Sequence, residues 1–551
     1  MPTRKRWDAM TTEAAPLKSA RARWLLVATV LGSSMAFLDG TVVNVALPTI
    51  GRELGGGLTL QQWVLDGYLL TLGALLLAGG AATDRFGRRR VFQIGLVAFT
   101  LASAASGLAP TGEALVLARI VQGVGAAALV PGSLALINEG IEKADRGKAI
   151  GLWAGMSGVS SALGPFLGGW LVDAVSWRWV FWINIPLAAV AFYVTTRHLQ
   201  QGRRQAVRER FDLAGAITAT LGLTGIVYAL IEGPAQGWAT GAIAAGSAGV
   251  VALGAFVVIE GRVQAPLLPK RLFASGQFTG VNLVTLAVYG AFGAALFLLS
   301  LQLQQTLGYS ALAAGAATVP ATIIMLLGSP VAGGLVDRFG PRIPMTVGPL
   351  LVGTGLALMA LVAPGSSYVG TVLPAVIIFG VGMATLVAPL TTAVMAAVPE
   401  QDAGTASGVN NAVSRVASLL AVAVLPAIAG IHAGPGEPLG PGFARAMLLS
   451  GAIAAVGGLI AALTVRSGGP DTDAGHEPEP EPDSAVSAWV IAPDPERDSA
   501  PSEWATTPEP GRHPGRTFQG EAPGGVRGTT SETGPNPDSG AENPLSPGPV
   551  R

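Results

Sequence analysis

Fourteen apolar runs follow one another along this chain, near residues 24–47, 62–82, 91–109, 114–137, 148–174, 179–196, 213–231, 241–260, 279–303, 311–335, 343–363, 370–397, 404–431 and 444–465. A helix needs about 20 apolar residues to cross about 30 Å of hydrocarbon. Lipid offers the backbone no hydrogen-bond partner, so each run must satisfy its own N–H and C=O groups as a helix. Half of the residues are hydrophobic and 12% are charged, against roughly 25% charged in soluble proteins. The expected class is an all-α polytopic membrane protein with fourteen spans, the pair at 213–260 being interrupted least cleanly because of Gly233-Pro234.

The net charge of zero hides an uneven distribution: from residue 471 onward there are 15 acidic and 5 basic residues, which leaves 19 acidic and 29 basic on the body. The body's positive charge sits in short loops between apolar runs, which is a topology signal rather than a nucleic-acid patch. The N-terminal arm, the loops after even-numbered spans and Arg466 together carry 24 Lys and Arg, and the loops after odd-numbered spans carry 3. This places both termini in the cytoplasm and the protein in the cell's inner (cytoplasmic) membrane, bathed by lipid. The first apolar run, preceded by Arg4, Lys5, Arg6, Lys18, Arg21 and Arg23, is too long for a cleaved signal peptide. There is no Cys, and His198, His432, His476 and His513 all lie outside the apolar runs, so neither a thiolate nor a His-ligated metal site is expected.

Two charged hairpins divide the chain. Residues 79–92 hold Gly80, Asp84, Arg85, Gly87, Arg88 and Arg89 between spans 2 and 3, and a second copy with Asp337 and Arg338 follows 253 positions later. Such a repeat suggests duplicated helix bundles. The organisation expected is a basic arm at 1–23, a six-helix bundle at 24–199, linkers and an inserted helix pair at 200–270, a second six-helix bundle at 271–466, and an acidic Pro- and Gly-rich disordered tail at 467–551.

Charge inside a span costs about 2.5 to 3.5 kcal/mol per Asp or Arg at the helix centre and marks function by default. Four residues qualify: Asp39 in span 1, Asp66 in span 2, Arg119 in span 4 and Arg415 in span 13. Counting 1.5 Å per residue from the run ends puts Asp39, Asp66 and Arg119 about 6 to 8 Å below the outer face, in one layer. Two carboxylates for one Arg leave a proton to be bound or released. Asn44, Gln122, Asn410, Asn411 and Arg415 are candidate cavity residues. Span 5 repeats small residues at Gly155, Gly164, Gly168 and Gly169, with Pro165 bending the helix.

These residues carry a resemblance. Leu38-Asp39-Gly40-Thr41-Val42-Val43-Asn44, the hairpin Asp84-Arg85-Phe86-Gly87-Arg88-Arg89, Leu117-Ala118-Arg119-Ile120-Val121-Gln122-Gly123, the Gly-Pro-x-x-Gly-Gly end of span 5 and Trp177-Arg178-Trp179-Val180-Phe181-Trp182-Ile183-Asn184 are similar to motifs of the major facilitator superfamily, and within it to the fourteen-span drug:proton antiporters of quaternary-ammonium and multidrug type. The resemblance covers about residues 20–466. It departs from the pattern at Ala82, where Leu is common, and at Pro341, where the first hairpin has Arg88. It implies a major facilitator fold and proton-coupled efflux of amphipathic compounds, cationic or neutral, by a monomer that uses the proton gradient and no cofactor. Asp39, Arg119 and Asp66 would couple protons, Gly80, Asp84, Arg85, Gly87, Arg88, Arg89, Asp337 and Arg338 would gate, and Gly155, Gly164, Pro165, Gly168 and Gly169 would form the antiporter helix.

Uptake by symport and a non-transporting receptor remain open as alternatives. No Gly-x-x-x-x-Gly-Lys-Ser/Thr loop is present to bind a nucleotide, and no nucleophile–base pair marks an enzyme. The charge count makes a direct prediction: a topology reporter fused after Arg466 reads cytoplasmic and one inserted between 431 and 443 reads external. The reverse pattern would sink the fourteen-span drawing.

Overall fold

The computed structural model describes residues 14–199, 212–431, 434 and 436–466. Arm residues 1–13 and the proposed disordered tail at 467–551 lie outside the described residues. Fourteen helices are long and apolar enough to cross a membrane. They are α1 Ala20–Leu54, α2 Gly57–Phe86, α3 Arg88–Leu108, α4 Gly112–Gly140, α5 Arg146–Ala174, α6 Trp179–His198, α7 Leu213–Ala235, α8 Thr240–Glu260, α9 Gly276–Thr306, α10 Ala311–Phe339, α11 Arg342–Met359, α12 Tyr368–Ala396, α13 Ala403–Ile428 and α14 Pro441–Thr464. Among the described residues the only β feature is an isolated bridge between Ala15 and Ile141, which pins the arm to the α4–α5 connection.

Helices α1–α6 pack into one bundle and α9–α14 into a second, while α7 and α8 pair outside them. Within hydrocarbon, helices gain little from burying apolar side chains against one another, so close approach of backbones holds them together. In the first bundle a Cβ on Gly79 would collide with the Ala127 carbonyl of α4, so only glycine lets α2 and α4 meet there. In the second bundle a Cβ on Gly353 of α11 would stand 2.7 Å from the Gly451 carbonyl oxygen of α14. Trp63 of α2 donates its indole N–H to Glu232 of α7 at 2.8 Å, which fastens the outlying pair to the first bundle.

Both charged hairpins lie at the same end of the molecule, here called the basic end. Gly87 (φ +99°) and Gly340 (φ +71°) make the two turns, conformations a side chain would strain. Contacts between the bundles collect at the opposite, far end. Ser300 Oγ donates to the Asn44 carbonyl at 3.0 Å, and Gln304 Nε2 donates to the Val45 carbonyl at 3.0 Å. The Asp173 carboxylate at the end of α5 accepts from the Ala311 and Leu312 N–H groups at 3.1 and 2.8 Å, capping α10 from the other bundle. A Cβ on Gly169 would collide with the Ala311 carbonyl, and one on Gly315 with the Pro165 carbonyl. Toward the basic end of α5, by contrast, Gly147, Gly151, Gly155 and Gly158 have nothing within 4 Å of a built Cβ. Along the α5–α10 seam the bundles thus meet at the far end and part toward the basic end, while α2 and α13 stay close farther along, where a Cβ on Gly408 would stand 3.5 Å from Leu77.

This asymmetry is testable. Gly169→Leu should widen the distance between paired spin labels at Val175 and Ala313, because the new side chain wedges α5 off α10. Gly155→Leu, at an unobstructed position, should leave that distance unchanged; equal effects of the two would refute the far-end contact.

Candidate functional site

The largest polar cluster inside the membrane-spanning helices is built on Asp39, which is fully buried. Arg119 Nη1 of α4 bonds Asp39 Oδ2, and the same nitrogen donates to Gln122 Oε1 at 2.8 Å. Gln122 Nε2 in turn donates to Asp39 Oδ1 at 2.8 Å, closing a three-membered ring of side chains. Arg119 and Gln122 can both reach Asp39 because three residues apart on a helix lie on one face. Asn184 of α6 donates to Asp39 Oδ1 at 3.4 Å and to Ser103 Oγ of α3 at 3.1 Å, and that hydroxyl donates to the Phe181 carbonyl at 2.8 Å.

Arg119 is held on every side. Its Nε donates to the Val64 carbonyl of α2 at 3.0 Å, and its guanidinium carbon stands 4.4 Å from the centroid of the Tyr68 ring and 5.6 Å from that of Phe181. Only Nη2 has no hydrogen-bond partner. Tyr68 is itself fixed by donating to the Ala36 carbonyl at 2.8 Å.

The structure corrects the expected three-charge layer. Asp39 and Arg119 are paired, but Asp66 stands apart, fully buried with neither carboxylate oxygen hydrogen-bonded. Depth places a residue along a helix and says nothing of its direction around the axis. Asp66 shares a stripe of α2 with Gln62 and Gly73, which touch α13 at the Val422 carbonyl (2.8 Å) and beside Arg415. Gly67, next in sequence, is the residue that faces α4. The expected depth of Asp39 also changes, because α1 continues through Pro48 to Leu54. At 1.5 Å per residue Asp39 is about 22 Å from that helix end.

The candidate cavity residues separate. Gln122 belongs to the Asp39 cluster and is fully buried. Asn44 is buried, its Nδ2 turned back to the Gly40 carbonyl at 3.3 Å. Asn410 donates to Asn282 at 3.2 Å and Thr285 at 2.7 Å within its own bundle. Asn411 and Arg415 are half-buried. Arg415 lies over the Phe37 ring of α1, 5.1 Å from the centroid.

Arg88 and Arg89 of the first hairpin bond within their own bundle. Arg88 pairs with Glu139 at 3.4 Å and with Asp84 at 3.8 Å, and Arg89 donates to the Thr196 carbonyl at 3.2 Å. Arg85 lies over Phe86 and Arg338 over Phe339, at 5.4 and 5.3 Å, so the two hairpins repeat in contact as in sequence. The Asp337 side chain lies outside the described residues. Gly80 has room for a side chain, with Pro131 at 3.7 Å; its neighbour Gly79 makes the close approach. On α5, Gly164 and Gly168 seat α1 at Thr41 and Val42, Gly169 and Pro165 seat α10, and Gly155 touches nothing. Asn184, Ser103 and Tyr68 had not been singled out from the sequence; a polar Asn after Trp182-Ile183 in an apolar run was the available signal.

A helical bundle of this kind, with a buried charge cluster in one half and a two-fold repeated hairpin, is a membrane transporter fold. A sequence model of the Major Facilitator Superfamily matches residues 29–422, and the chain belongs to that family. It is 39% identical over 429 residues to puromycin resistance protein pur8 of Streptomyces alboniger, a match covering 75% of this chain and 84% of that protein. It is 33% identical over 416 residues to the tetracenomycin C resistance and export protein of Streptomyces glaucescens, covering 74% and 77%. Among solved structures, a bacterial homologue of the human lysosomal transporter Spinster, inward-facing and unoccupied, superimposes with a TM-score of 0.58 at 16% identity over 81% of this chain and 97% of that one.

Removing one partner of a buried pair leaves an uncompensated charge and costs about 3 to 5 kcal/mol. Arg119→Met should therefore lower the thermal unfolding midpoint of the purified protein, and adding Asp39→Asn should recover most of the loss. An unshifted midpoint in Arg119→Met would mean that the pair is not formed.

Proposed function

We propose that this chain is a proton-coupled exporter of amphipathic organic compounds of antibiotic type, working by alternating access. The observation that carries the reading is the Asp39–Arg119–Gln122–Asn184 cluster: a carboxylate with a single cationic partner, buried in one of two helix bundles. The names of the resistance relatives support export. The Lys and Arg distribution supports placing the basic end, and both termini, on the cytoplasmic face of the inner membrane. In that orientation the unobstructed stretch of α5 faces the cytoplasmic side, from which an exporter takes its load, and the cycle invokes no cofactor.

In the cycle, substrate enters between the bundles from the basic end while Asp39 is bonded by Arg119 and Gln122. Rocking of the bundles closes the basic end and opens the far end. A proton arriving from the far side neutralises Asp39 and frees Arg119; closure returns it, and the proton leaves to the cytoplasm. Asp39 is the carrier in this scheme, Arg119 sets its readiness to give up the proton, and Asn184 holds Oδ1 in place. Asp66, buried without a partner, is the candidate for a second proton. With a monovalent cation leaving for one entering proton no net charge crosses, whereas each further proton adds about 2.3 kcal/mol per 100 mV of membrane potential. In the closed state the Asp84 and Arg85–Arg89 hairpin and its Asp337–Arg338 copy draw the basic ends of the bundles together by charge-assisted contacts.

Proteoliposomes test the scheme. Asp39→Asn should abolish export driven by an imposed pH gradient while substrate binding stays measurable, and Arg119→Lys should lower coupling, since an ammonium lacks the planar fork. Proton-coupled flux at the wild-type rate in Asp39→Asn would refute the assignment, and the absence of any substrate-dependent proton flux in the wild type would favour a receptor.

A further inference from the structure

Arg415 is a cation in the membrane-spanning region that the coupling scheme does not use. It lies 12 residues from the start of α13 and 13 from its end, at the middle of a helix that carries no acidic residue. Its Cβ is 3.4 Å from the position a Cβ on Gly73 of α2 would take, and its guanidinium reaches over Phe37 of α1, so one side chain of the second bundle lies against two helices of the first. No hydrogen bond or ion pair holds its guanidinium. The buried carboxylate nearest in function, Asp39, is saturated by Arg119, Gln122 and Asn184, and Asp66, on the facing helix, makes no bond to it. Its nitrogens are not sealed off either, for the residue is only half-buried.

A guanidinium at the bilayer centre without a counter-ion is costly, and a single aromatic face offsets only part of that cost. Its surroundings are aromatic: Phe37 is in edge contact with Trp153 at 6.5 Å, and Tyr289 with Phe292 at 6.3 Å lies within electrostatic reach on α9. The arrangement pairs apolar ring faces with one unsatisfied five-donor fork, and a planar oxyanion on an aromatic or alicyclic body fits both. Like charge repels across this low-dielectric region, so a quaternary ammonium ion is disfavoured at the same place.

We propose that Arg415 is the substrate-charge reader where α13 meets α1 and α2, and that it selects amphipathic organic acids, compounds whose apolar body carries a carboxylate or comparable oxyanion. The inference rests on the export reading and narrows its substrate class. The amphipathic body is unchanged; the charge it carries is what Arg415 adds. With a monoanion leaving as one proton enters, two positive charges in effect move inward, so export of such a compound would be electrogenic.

The test uses the full chain in lipid nanodiscs and two naphthalene probes of matched body, one ending in a carboxylate and one in a trimethylammonium group, with binding measured at equilibrium. The wild type should bind the carboxylate probe at least tenfold more tightly than the ammonium probe. Arg415→Gln should erase that preference, and Arg415→Lys should retain part of it. Should Arg415→Gln fail to fold, the wild-type preference and the Arg415→Lys protein still decide the matter. No preference in the wild type, or an equal loss of both probes in the Arg415 variants, would overturn the proposal, the latter by making Arg415 a packing residue. Flux separates the two readings: export without charge preference leaves the exporter standing and removes the reader, whereas charge-selective binding without flux removes the exporter and leaves the reader.

Discussion

One carboxylate that must be satisfied away from water organises the first bundle. Asp39 draws its donors from α4 and α6, Arg119 takes a carbonyl from α2, and Asn184 ties the group to Ser103 on α3. Five helices therefore converge on one buried carboxyl group, and none of them can rotate without leaving a buried polar atom unpaired. In hydrocarbon, where helices gain little from apolar burial, such a polar centre specifies which faces meet. The second bundle has no equivalent charge pair among its described residues and relies on close backbone contact, as between Gly353 and Gly451, and on the Asn410–Asn282–Thr285 group.

The difference between the bundles separates their tasks. The first holds the titratable group at a fixed place, and the second brings Arg415 across to lie against α1 and α2. Motion of one bundle against the other then moves the cation of Arg415 relative to the Asp39 cluster without breaking either bundle. The contacts that must change are those between the bundles: a few hydrogen bonds and glycine-seated crossings at the far end, and the packing of Arg415 against Phe37 and Gly73.

Much of this was legible in the sequence, because span length is a matter of composition. All fourteen runs are helices, including the pair at 213–260, where Pro234 lies in the last turn of α7 and does not break it. Depth and charge put Asp39, Asp66 and Arg119 in one layer, of which the structure pairs only Asp39 with Arg119. What was not legible is azimuth: the direction of Asp66 toward the α13 side depends on which stripe of α2 faces which neighbour, and a run that is apolar all round carries no such mark. The same blindness chose Gly80 over Gly79, since both read as small residues at a helix end and only the position of Ala127 distinguishes them. Asn184 went unassigned because its role depends on α3 and α1 arriving beside it, a tertiary fact.

The cap that Asp173 places on α10 ties a piece of local helix chemistry to the position of a whole bundle. Two N–H groups of the first turn of α10 have their acceptor on the other bundle, supplemented within the helix only by Ser310, which takes the Ala313 N–H. Parting the bundles at the far end strips that turn of its carboxylate, a loss of about 1 kcal/mol for a helix cap, which is roughly a fivefold change in an equilibrium. The empty molecule is thereby biased to rest with α10 capped and the basic end open. A transporter so biased spends its idle time waiting for cargo rather than holding its far end ajar, and the fraying of a single helical turn becomes part of the barrier to release.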